Sequence, residues 1–152
     1  MTQTTIEARN ELLDAVAEAT AHLGLALASL GAATEDLDEY HGGQVEDRLF
    51  RPVQRAYGLA RRAHSAFAER HGIQLRRLGA PPPAMATSGA RTLIDQAAIE
   101  VGEADNAVTT LQDSMLPVEV GDPELRAALA DVRAAIGGFP SDARQVVSRL
   151  GR

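Results

Sequence analysis

Residues 13–37 read LDAVAEATAHLGLALASLGAATEDL, and this stretch decides the fold. Leu13, Thr20, Leu27 and Thr34 recur every seven residues, and Val16, Leu23, Leu30 and Leu37 repeat at the same period three positions later. That is the a/d spacing by which one helix offers a seam to its neighbours. A second ridge carries only small residues, Ala17, Ala21, Gly24, Ala28 and Gly31, over which another helix can approach closely. Between Glu18 and Glu35 there is no carboxylate and no arginine, and Leu25 lies on the side that a two-faced helix gives to solvent. The middle of this helix is therefore expected to be covered on more than one side. A membrane span needs roughly 20 predominantly apolar residues. This run is shorter, rich in alanine and interrupted by His22 and two glycines, so no span is expected.

The rest of the chain reads as helices that match this one. Helix one is predicted over 5–40, with Glu7, Glu11, Asp14 and Glu18 as a solvated stripe and His41-Gly42-Gly43 as its stop. Helix two is predicted over 44–71 on the seam Phe50, Val53, Tyr57, Ala60, His64, Phe67 and His71, with a kink or restart at Pro52. Residues 73–87, which include Pro81 to Pro83, form a linker. Helix three, 88–115, carries Ile94, Ala97, Val101, Ala104, Val108, Leu111 and Met115 and is closed by Pro117. Asp122-Pro123-Glu124 then combines an N-cap, an N1 proline and an early carboxylate, which starts a fourth helix broken into 123–137 and 141–150. Segments 44–71, 88–115 and 123–150 are equal in length. The expected fold is all-α, a single-domain antiparallel four-helix bundle with a long first helix and a broken fourth.

Composition agrees. At 152 residues the chain is long enough to bury a core, yet Phe, Tyr and Met supply only eight positions and Trp none, so the interior must be Ala, Leu and Val. No alternating run suggests a strand. There is no cysteine, which excludes disulfides, thiolate nucleophiles and Cys-based metal sites. The first residues lack a basic region followed by an apolar one, so the expected location is cytoplasmic.

Charge is segregated. Residues 1–47 carry ten acids and one arginine, 48–77 carry eight arginines and one acid, and the remainder ten acids and six arginines. Arg48, Arg51, Arg55 and Arg62 fall at helical spacing as one basic stripe. Such a stripe suits nucleic acid, but the net charge of −6 repels phosphate and no aromatic residue shares the face. Pairing with acids of this chain or of a partner is the better reading.

The four histidines, His22, His41, His64 and His71, offer no Glu-x-x-His pair and meet no inward acid of helix three, so no metal and no cofactor are expected. No phosphate loop, catalytic triad order or zinc-binding His pair is present, and an enzyme is not expected. The expected function is protein–protein interaction, with the chain itself as partner in a homodimer. The interaction residues are Ala17, Ala21, Gly24, Leu25, Ala28 and Gly31 on helix one and Arg48, Arg51, Arg55 and Arg62 on helix two. The alternative is a nucleic-acid-binding or regulatory module that uses the arginines.

Overall fold

A computed structural model describes residues 5–76, 78 and 89–150. All regular elements among them are helical. Helix α1 spans Thr5–Glu35 and buries Leu12, Leu13, Val16, Ala19, Leu23, Ala26, Leu30 and Ala33. Thr20 is buried too, but its Oγ1 donates to the Val16 carbonyl at 2.7 Å, which satisfies the hydroxyl inside the helix.

The chain turns at 36–38, earlier than the glycine pair predicted. Asp36 and Leu37 donate back to Ala33 and Thr34 carbonyls, and Asp38 then caps helix α2, Glu39–Val45, its Oδ1 accepting from the His41 backbone N–H at 2.8 Å. Helix one therefore ends at Glu35 and not at residue 40. Gly42 and Gly43 lie within α2 and stop nothing. Gly42 instead permits a close approach, since a Cβ there would sit 3.4 Å from the Thr34 carbonyl oxygen.

From Glu39 the chain runs as one continuous rod to His71. After α2 comes a π-helical turn, Glu46–Phe50, and then α3, Arg51–His71. The Arg51 N–H donates to the Glu46 carbonyl five residues back. Pro52 has no N–H and its ring crowds the preceding turn; it sits in the first turn of α3, the restart expected there, directly after the widened turn. Gly72, at φ 63°, ends α3 in the left-handed conformation that glycine tolerates, with Ile73 N–H returning to the Ala68 carbonyl at 2.9 Å.

Helix α4 spans Ala90–Asp113, two residues inside the predicted 88–115 at each end; Ser88 itself lies outside the described residues. The Asp36 carboxylate accepts from the Ala90 N–H at 3.0 Å, so the end of α1 caps the start of α4. Pro117 does not close this helix but sits in the first turn of a short one, α5, Leu116–Val120. Asp122 then caps α6, Pro123–Ile136, as predicted. The break in the fourth segment falls at Gly137-Gly138 alone; Phe139 and Pro140 already belong to α7, Phe139–Leu150.

One apolar core joins these elements. Helix α1 packs most extensively on α4 and next on α3, α3 packs equally well on α6, and α7 closes against α4 and the π-helical turn. Most predicted seam positions are buried, Val53, Ala60, His64 and Phe67 of α3 and Ile94, Ala97, Val101, Ala104, Val108 and Leu111 of α4, while Tyr57 in mid-seam is half-buried against the core. Met115, the last expected seam position, is exposed because α4 has already ended. By length and composition alone α1 passes the test for a membrane-crossing helix, its most apolar window reaching a mean hydropathy of 1.3, as the core helix of a bundle also can; 44% of that window is buried inside the fold.

Candidate functional site

The ridge of small residues does not act as one surface. Gly24 is buried, Ala17, Leu25, Ala28 and Gly31 are half-buried, and Ala21 is exposed. The outward stripe of α1 runs Glu7, Glu11, Asp14, Glu18, Ala21, Leu25, Ala28 at alternating steps of four and three. Its chemistry changes abruptly after Glu18, from acidic to uncharged. Ala17, Leu25 and Ala28 do not join the core formed by the described residues, although Leu27 and Ala32 beside them do. At the same level on α4, set by a hydrogen bond between His22 Nδ1 and Glu100 Oε2 at 2.7 Å, Ile99 is 64% exposed.

The four arginines separate as well. The π-helical turn adds a residue to one turn of backbone, which moves Arg48 off the line that ideal helical spacing gives it. Its guanidinium reaches α7, donating to Asp142 Oδ1 at 3.1 Å and to Gln145. Arg48 thus pairs within the chain. Arg51, Arg55 and Arg62 remain on the exposed face, Arg51 beside Asp47 at 3.5 Å. Arg55 and Arg62 have no ion pair among the described residues.

A polar constellation that the sequence reading missed closes the end of the molecule where α1 begins and α3 stops. Asp122, 4% exposed, accepts from the Leu125 N–H at 2.8 Å, from Arg70 through Nε and Nη2 at 2.8–3.1 Å, and from His71 Nε2 at 2.8 Å. Burial favours the protonated carboxyl, but these donors outweigh it and hold Asp122 below the usual carboxylate range. His71 also packs on Phe67 in a tilted ring contact with centres 4.5 Å apart. Nearby, Arg76 bonds Asp14 Oδ1 at 2.7 Å and the Asn10 carboxamide oxygen, tying the segment after α3 to the first turns of α1.

His64, 1% exposed, has no partner for Nε2 among the described residues. Burial, followed by the charge of Arg76 and opposed by that of Asp14, lowers its pKa and so favours the neutral ring. His22 and His64 have different surroundings, Glu100 for the first and the apolar α3 seam for the second. His41 lies in the first turn of α2, where its backbone N–H and then its ring bond to the Asp38 side chain and lower the pKa of that carboxyl. Among the described residues no group of three or more His, Asp or Glu side chains is placed to hold a metal.

The cap at Asp122-Pro123 was visible in the sequence, but its Arg70 and His71 partners lie 52 and 51 positions away and follow no spacing rule. Comparison with protein families, with curated proteins and with solved structures finds no match for this chain.

Proposed function

We propose that the protein is a non-enzymatic interaction module that self-associates. In this reading the chain is an antiparallel four-helix bundle whose fourth member is the α6–α7 pair, and a second copy docks across the uncharged half of the α1 stripe. The observation that carries the proposal is the change of chemistry along the outward stripe of α1, from exposed Glu18 to exposed Ala21 and half-buried Leu25 and Ala28, with Ile99 exposed at the same level of α4. Small side chains there let two helices approach closely, and a lone bundle gains nothing from an exposed isoleucine and a leucine turned away from its own core.

The basic face supports a nucleic-acid reading less well. Arg48 is neutralised by Asp142, which leaves three arginines, one of them beside Asp47. The test of self-association is sedimentation or light scattering over a concentration series. A dimer is expected for the natural chain and a monomer for Leu25→Glu, with unchanged helicity; a natural chain that stays monomeric throughout overturns the proposal.

A further inference from the structure

Ile6, Arg9 and Asn10 of α1 and His71, Ile73 and Arg76 at the end of α3 line a surface cavity of about 510 Å³. Most of its polar groups are already engaged. Arg76 donates to Asp14, to Asn10 and, through Nη1, to the Gln74 carbonyl at 3.3 Å, and His71 is held by Asp122. Arg70 is shared between Asp122 and Glu124. Arg9 differs from all of these. It makes no ion pair among the described residues, and its Nε is sealed from solvent with no acceptor.

A guanidinium N–H that has lost water and gained no partner is costly, and the fork of donors it belongs to matches a carboxylate or phosphate group. Of the cationic side chains at this end, Arg76 is paired with Asp14 and Arg70 with Asp122 and Glu124, so Arg9 is the cation lining the cavity that has no ion pair among the described residues. Ile6 and Ile73 add apolar wall beside it. We propose that this cavity binds a small oxyanion, a carboxylate or phosphate group, with Arg9 as its charge partner. The site is independent of self-association through the middle of α1.

The experiment is a titration of the isotope-labelled full chain with sodium phosphate, acetate and butyrate at constant ionic strength, followed by NMR. Saturable shifts confined to residues 6–10 and 71–76 are expected. Arg9→Met should weaken binding about tenfold or more, as the loss of a charge-assisted hydrogen bond implies, whereas Arg62→Met, at an exposed arginine outside the cavity lining, should leave it unchanged. Butyrate binding above acetate would identify an organic acid whose body meets Ile6 and Ile73. Phosphate binding above both would identify a phosphate group. Absence of saturation in the natural chain, shifts that spread to Arg51, Arg55 and Arg62, or an Arg9→Met chain with undiminished affinity would each overturn the proposal. The map of shifts in the natural chain decides the matter even if Arg9→Met does not fold.

Discussion

The beginning and the middle of α1 present outward surfaces of opposite design. At the beginning, Asn10 and Asp14 are bonded to Arg76, and the adjoining ends of α3 and α6 are fastened through Asp122. In the middle, Ala21, Leu25 and Ala28 carry no group able to form a hydrogen bond or an ion pair. The first surface holds the molecule together, because its bonds join segments distant in sequence. The second makes no such bond, and Leu25 and Ala28 stay outside the core formed by the described residues. The difference teaches that a polar surface and an apolar one on the same helix answer to different tests, one of stability and one of association.

The sharpest way to break the polar end is Asp122→Ala. It removes the α6 cap and leaves Arg70 and His71 without their shared acceptor. Loss of a buried partner of this kind, together with a cap, is expected to cost about 3 kcal/mol, measured as a shift in urea unfolding. Asp122→Asn keeps an N-cap oxygen and should cost less. The folded-state pKa of Asp122 is depressed, so its ionic contribution is present above the unfolded value of 3.8 and is lost as pH falls through the lower folded value. The acid limb of the unfolding curve should therefore flatten in Asp122→Asn. A loss under about 0.5 kcal/mol in the alanine chain would mean that the cluster is only an exposed set of charges.

Sequence periodicity made the interior legible and the surface only partly so. Seam positions such as Val101, Ala104 and Val108 are buried because a 3.6-residue repeat is a local property that tertiary structure inherits. The α1–α2 turn was misplaced because two stop signals lie within six residues of each other. Asp38 with an N–H three positions on competes with Gly42-Gly43, and the side-chain cap prevails. Arg48 left its expected stripe through a one-residue π insertion that no ideal spacing reveals. The polar end was illegible for a deeper reason. Arg76 and Asn10 are 66 positions apart, and Arg70 and Asp122 are 52 apart; only the fold brings them together.

A smaller effect is expected at His64, which lies inside the same half of the molecule but lacks the acceptors that Asp122 supplies to His71. Its neutral ring is favoured in the fold, so the unfolded chain binds a proton first as pH falls. Stability is thus undiminished above about pH 6.5 and declines below it. His64→Leu, a change of similar volume, removes both the unpartnered nitrogen and this proton uptake. It should stabilise by about 1 kcal/mol near pH 5, with a flatter stability profile below neutrality. A chain less stable than the natural one at that pH would show that the imidazole has a polar role in the core.

The finest probe is Gly31→Ala, on the small-residue ridge of α1. The residue is helical, its φ is negative, and a Cβ there would meet nothing within 4 Å. In a single molecule the methyl group has only one consequence, which is to restrict the unfolded chain, and a gain of about 0.4–1 kcal/mol is expected. If a second copy packs closely against this ridge, the same methyl group stands between the two helices. The substituted chain should then melt higher than the natural one when dilute and lose that advantage as concentration rises, because association adds stability by mass action to the natural chain alone. Thermal unfolding at several concentrations separates the two contributions. A gain that is the same at every concentration would place Gly31 outside any contact and confine association to the stretch around Leu25.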